Sequence, residues 1–185
     1  MPKETDYSYM RSGKKVLVDD VCYAENITLG DILRGLSAIK RYNGQSTISV
    51  LRHSIGVASF FRDIPGAFRY AMLHDASEAY MMDVPVGLKK FMTNEWHITN
   101  ELLSKLILEK FNAVPSYSDK NAVDLIDKAV VAYEMDRSLG RSEYPRTLQV
   151  DPRVKNYAEM DRRYLLNVSD DSLPFLAAWL LGVDI

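Results

Sequence analysis

A single cysteine, Cys22, among 185 residues rules out an intrachain disulfide and any zinc site built from several thiolates. An excess of one charge is also lacking: 23 basic residues stand against 25 acidic ones, for a net charge of −2. That balance excludes the broadly basic surface on which sequence-independent binding to nucleic-acid polymers depends. It leaves room for one nucleotide in a locally positive cleft. Long apolar runs are missing too. The most apolar stretch, Leu173 to Val183, is too short to span a bilayer and reads as a core helix. The opening residues, Met1 to Asp6, lack the apolar run of a signal peptide. No repeat, low-complexity tract or Gly/Ser linker interrupts the chain. The expectation is one domain over 1–185, in a reducing cytoplasm and without a membrane partner.

What is present fits a globular protein, with 47% apolar and 26% charged residues. Residues 1–28 carry the only strand signal. Tyr7 to Met10 and Lys15 to Val18 flank Ser12-Gly13, which predicts a small hairpin. From residue 29 the pattern is helical. Thr28 is positioned to cap a helix to about Lys40, with Asp31 at its third position. Further helices are predicted over about Ser46 to Arg62, Ala67 to Met82, Thr93 to Phe111 and Tyr117 to Leu139. Two more fall at Asp151 to Leu166 and Leu173 to Leu181. The fold class is therefore all-α, a bundle of about seven helices with a small N-terminal hairpin. Trp179, with Leu173, Phe175, Leu176 and Leu180, is assigned to the core ahead of a subunit contact.

Polar residues stand where apolar ones belong. His53 interrupts the stripe Val50, Val57, Phe60 and Phe61, and Asp127 sits in the face of Val123, Val130 and Val131. His74, Asp75 and Glu78 cluster within little more than a turn. A carboxylate facing a core is costly unless something positive meets it, and these stripes hold no Lys or Arg. Each residue alone has an ordinary explanation: His53 a hydrogen-bonded core histidine, Asp127 a paired acid, His74-Asp75 a chance dipeptide, His97 a surface residue. Together, two imidazoles and two carboxylates converging from three helices would be satisfied by a divalent cation. Mixed N/O ligands suit zinc, manganese, cobalt or iron, with magnesium and a second ion left open.

The order His53, His74-Asp75, Asp127 resembles the signature of the HD-domain phosphohydrolases. Wider stretches are similar to bacterial 5′-deoxynucleotidases and to small phage-encoded HD phosphohydrolases. These are Leu73 to Tyr80, Asp83-Val84-Pro85, Leu88-Lys89, Arg41 to Gln45, Leu51 to Ser54, and Leu125 to Asp127 followed by Glu134. The resemblance implies four metal ligands, His53, His74, Asp75 and Asp127. It implies catalytic roles for Glu78 and Asp83, and phosphate contacts for Arg41 and Lys89. Tyr42 stands where the 5′-deoxynucleotidases carry a tryptophan against the sugar. The implied activity is hydrolysis of a 5′-(deoxy)nucleotide, either a monophosphate or a deoxynucleoside triphosphate, with dATP as the guess. A homodimer or larger homo-oligomer is implied as well, and a host cytoplasm if the chain is phage-encoded.

In physical terms, a cation lowers the pKa of a water toward neutrality beside a phosphate. Arg41 and Lys89 would offset charge on phosphoryl oxygens. Glu78, one helical turn beyond His74, could position or deprotonate that water, or protonate the leaving oxygen. The rival reading is a non-catalytic HD module that binds metal and nucleotide as a sensor. Glu78 and Asp83 speak against it, since binding alone needs no acid–base pair.

Overall fold

A computed structural model describes residues 8–16, 21–139, 168–183 and 185. The architecture is mostly helical with one small hairpin, as the sequence pattern predicts. Strands β1 (Ser8–Tyr9) and β2 (Lys15–Val16) pair antiparallel, Ser8 opposite Val16 and Tyr9 opposite Lys15. Gly13 closes the turn at φ +82°, a conformation that costs glycine nothing. The hairpin is tied down by Asp31, whose carboxylate accepts from the Ser12 amide at 3.0 Å and the Ser12 hydroxyl at 2.6 Å.

After a 3-10 turn at Val21–Asn26, helix α1 spans Leu29–Ala38, capped by Thr28 as predicted. The Thr28 hydroxyl accepts from the Asp31 amide, a cap worth about 1 kcal/mol. Helix α2 (Val50–Ala58) starts later than the pattern suggests. Ser49 caps it, and a 3-10 turn at Ser59–Phe61 ends it. Helix α2 is buried on every side, so it forms the centre of the bundle. Helix α3 (Pro65–Leu73) packs along it, and α6 (Asn94–Lys110) and α7 (Tyr117–Leu139) complete the layer. Thr93 caps α6, and the Ser116 hydroxyl accepts from the Asp119 amide at the start of α7.

The continuous helix expected from Ala67 to Met82 is interrupted. It ends at Leu73, and a short α4 resumes at Glu78–Met81. Between them the amide bonds shorten to i→i−3 spacing, Ala76 to Leu73 and Glu78 to Asp75. His74 and Asp75 therefore lie on a tightened turn rather than mid-helix. A further one-turn helix, α5 (Val86–Lys89), follows Pro85. Helix α4 lies close against α1 because position 35 is glycine. A Cβ there would come within 3.0 Å of the Ala79 Cβ.

Helix α8 (Leu173–Leu181) buries Leu173, Pro174, Ala177, Ala178 and Leu181 against α1 and α2. Trp179 and Phe175 face outward, 74% and 58% exposed, which corrects their assignment to the core. The helix is apolar all round, so composition could not say which stripe is buried. The helix predicted at Asp151 to Leu166 lies outside the described residues. Among the described residues no helix is long and apolar enough to cross a membrane.

Asp170 anchors the segment leading into α8. It accepts from Arg52 Nη2 at 2.7 Å and Nε at 3.2 Å, and pairs with Lys40. Burial pushes its carboxyl up, but bonds from Lys40 and Arg52 outweigh that and hold it below the usual range. A depressed acid contributes stability above its unfolded pKa and loses it as pH falls through the folded value. Asp170→Asn is therefore expected to cost roughly 1–2 kcal/mol at pH 7. Its difference from the native protein should shrink as pH falls below about 4. Urea unfolding at pH 7 and pH 3 reads both; an equal loss at both would contradict the pairing.

Candidate metal centre

Four side-chain atoms from α2, the tightened turn and α7 converge. The first is His53 Nε2, on a fully buried ring. It lies 3.0 Å from Asp127 Oδ1 and 3.7 Å from Asp75 Oδ2. His74 Nε2 lies 3.4 Å from Asp75 Oδ2 and 3.9 Å from Asp127 Oδ1. Ligands of one first-row cation, each about 2.1 Å from it, stand roughly 3.0–3.5 Å from one another. The observed separations are close to that spacing. The two imidazoles and Asp75 thus form a cluster that could hold a metal ion.

The second nitrogen of each ring explains which atom faces the cluster. His53 Nδ1 lies 2.9 Å from Glu134 Oε1, and His74 Nδ1 lies 2.8 Å from the Ala71 carbonyl. A ring whose Nδ1–H donates to an oxygen presents an Nε2 lone pair. Both Nε2 atoms are buried; among the described residues His74 Nε2 has no hydrogen-bond partner, and His53 Nε2 meets the Asp127 carboxylate at 3.0 Å. Two buried imidazole nitrogens aimed at two carboxylates are a donor set that a divalent cation fits.

The charges fit the same picture. Burial opposes ionisation of Asp75 and Asp127, but His74, His53 and Arg41 outweigh it and hold both carboxyls below the usual range. Burial and Arg41 work against a charge on His53, yet Glu134 and Asp127 push it up to about 10. Without a cation, His53 would carry the positive charge that the carboxylates demand. Glu78 behaves in the opposite way. Burial, Asp75 and Asp83 push its carboxyl up to about 9 against the pull of Lys89 and Arg41. It is a neutral acid at pH 7.

Around the cluster lie the other residues singled out in the sequence. Arg41 Nη1 is 3.6 Å from Asp75 Oδ2, and Arg41 Nε is 2.9 Å from Glu134 Oε2. The sequence stripes contain no cation, but this arginine reaches the carboxylates from the loop between α1 and α2. Tyr42, Asn43 and Gly44 there all adopt left-handed backbone, φ 56°, 60° and 82°. Amide bonds Arg41 to Ile48 and Val50 to Ile39 close the loop. The Tyr42 hydroxyl donates to Glu134 Oε2 at 3.2 Å, so its polar end is turned inward. Lys89 Nζ is 3.8 Å from Glu78 Oε1. Asp83 is half-buried and acts electrostatically on Glu78 and Arg41. His97 is exposed and donates to the Lys89 carbonyl at 3.0 Å, which fixes the end of α5.

One residue of the centre had no role assigned from sequence. Glu134, fully buried, touches His53, Arg41 and Tyr42. It lies seven residues after Asp127, two helical turns along the same face, just after buried Val130 and Tyr133. A second acid on an otherwise apolar face was the available signal.

Fold and site together define a helical protein with a partly buried His-His-Asp group that could hold a metal ion. No protein-family model matches the chain. It is 31% identical over 132 residues, 70% of each chain, to the uncharacterized protein YfdR of Escherichia coli (strain K12). The chain belongs to the family of that protein.

Proposed function

We propose that the protein is a metal-dependent phosphohydrolase of the HD type acting on 5′-(deoxy)nucleotides, with His53, His74, Asp75 and Asp127 as the metal ligands. One observation carries the reading: two buried imidazole nitrogens converge on two ionised carboxylates, and a protonated acid stands beside them. A divalent cation held there supplies Lewis acidity toward water and the phosphoryl oxygens.

The residues of the chain do the rest. Arg41 keeps its charge, because Glu134 and Asp75 outweigh the penalty of burial. Its guanidinium has further N–H groups for a phosphate oxygen. Lys89, partly exposed on α5, adds a second cation at the mouth of the site. Glu78 holds a proton at its carboxyl and stands one turn from His74, positioned to give that proton to the leaving oxygen. Asp83, by raising Glu78, keeps it in the donating form. The half-buried Tyr42 ring offers an aromatic surface beside the sugar.

A panel of nucleoside mono- and triphosphates tests this, with metal-stripped protein resupplied with manganese, cobalt, zinc or magnesium. Chromatographic release of phosphate, pyrophosphate or triphosphate with one metal is the expected result, and the product names the bond cut. Stoichiometric metal with no product from any nucleotide would contradict the hydrolase and leave a metal- and nucleotide-binding module.

A further inference from the structure

Building on the metal-centre reading, we propose that Glu134 is a positioning residue that links metal loading to phosphate capture through its two oxygens. Oε1 lies 2.9 Å from His53 Nδ1. Oε2 lies 2.9 Å from Arg41 Nε and 3.2 Å from the Tyr42 hydroxyl. The side chain is fully buried, so no solvent competes for these oxygens. An ionised carboxylate is acceptor-only, with about four lone-pair sites. It therefore meets three groups from two separate elements at once, taking bonds from His53 Nδ1 and the Tyr42 hydroxyl and pairing ionically with Arg41.

On the Oε1 side, the bond holds Nδ1–H on His53 and turns the Nε2 lone pair toward Asp75 and Asp127. On the Oε2 side, Glu134 takes the Nε edge of Arg41, so the Nη end of the fork extends toward Asp75, 3.6 Å away. The Tyr42 bond ties down a residue whose left-handed backbone (φ 56°) is unfavourable for a side chain of that size. One carboxylate thus sets both the orientation of a ligand and the aim of the phosphate-binding guanidinium. A residue serving only to neutralise a buried arginine would not also sit on the imidazole.

The test is Glu134→Gln. An amide is neutral and donates on one side, so it cannot both accept from His53 Nδ1–H and pair ionically with Arg41. Two effects are expected. Metal affinity, measured by equilibrium dialysis without substrate, should weaken about 10–100-fold. At saturating metal, kcat should recover toward the native value while KM for the nucleotide stays raised about tenfold or more. Native metal affinity in a folded Glu134→Gln protein would overturn the proposal, as would native KM at saturating metal.

A second measurement needs no variant. In the zinc-loaded native protein, nitrogen-15 spectra should show His53 binding metal through Nε2, with a slowly exchanging, far-downfield Nδ1 proton. Zinc on Nδ1, or no protected Nδ1 proton, would also overturn it. Native protein that takes up no metal would fail the metal-centre reading itself, and this proposal with it. Native protein that binds metal and cleaves nucleotides, beside an unaffected Glu134→Gln variant, would fail only this proposal.

Discussion

Replacing Glu78 by glutamine is expected to lower kcat for nucleotide hydrolysis by about 10²–10⁴-fold with no loss of bound metal. The carboxyl is buried, and among the described residues its Oε2 has no hydrogen-bond partner. That is the condition of a group kept free for a reacting atom. Burial and the neighbouring Asp75 and Asp83 push it up to about 9, so it is protonated at neutral pH. A cation in the cluster would draw that value down toward the working range of an acid catalyst. Glutamine keeps the shape and one donor but has no proton to give. The alkaline limb of the native kcat profile should therefore be missing from the variant.

Stability gives an independent reading of the same group. A raised folded pKa contributes stability below the unfolded value, near 4.5, which is lost as pH rises through about 9. Metal-free native protein should accordingly lose this contribution across that window, and Glu78→Gln should not. A variant with more than a tenth of native turnover would remove Glu78 from the mechanism.

The second large effect concerns Asp127. Its Oδ1 is the atom closest to His53 Nε2, at 3.0 Å, and the carboxyl is held ionised by His53, His74 and Arg41. Asp127→Ala would take away one of the four proposed ligands and one of the two carboxylates facing the imidazole Nε2 atoms. Metal content should fall well below one ion per chain. Thermal stability should report the same loss. A cation at 100 times its dissociation constant stabilises a folded protein by about 2.7 kcal/mol. For a chain of this size that is a Tm increase of roughly 5–10 °C. Native protein should show this shift on adding metal after chelation, and Asp127→Ala should show little of it. An undiminished shift in the variant, with full metal content, would take Asp127 out of the ligand set.

The parts of the centre legible in the sequence were those that broke a pattern. His53 and Asp127 each interrupt an apolar helical stripe, and the structure brings their side chains to 3.0 Å. The cap at Thr28 was legible for a similar reason, being a hydroxyl side chain just before helical periodicity begins. Ser46, Thr47 and Ser49 all suit a cap, so the start of α2 could not be placed among them. The break at His74 to Ser77 left no mark, because no glycine or proline lies there and tertiary contacts tighten the turn. Arg41 was legible as a candidate but its pairing was not. It comes from a loop that Asn43-Gly44 marks as a turn, but whose contacts with other elements no residue type announces. Glu134 went without a role because its chemistry lies in contacts across elements, and helical spacing cannot show those.

The most direct test of the central claim is a metal titration of chelator-stripped native protein, followed by elemental analysis after dialysis. At least one divalent cation should be retained per chain, displaced by protons as the two imidazoles become charged. No retention of zinc, manganese, cobalt or iron would contradict it. His53 would then be a protonated bridge between Glu134 and Asp127, and the cluster a buried ion network rather than a metal centre.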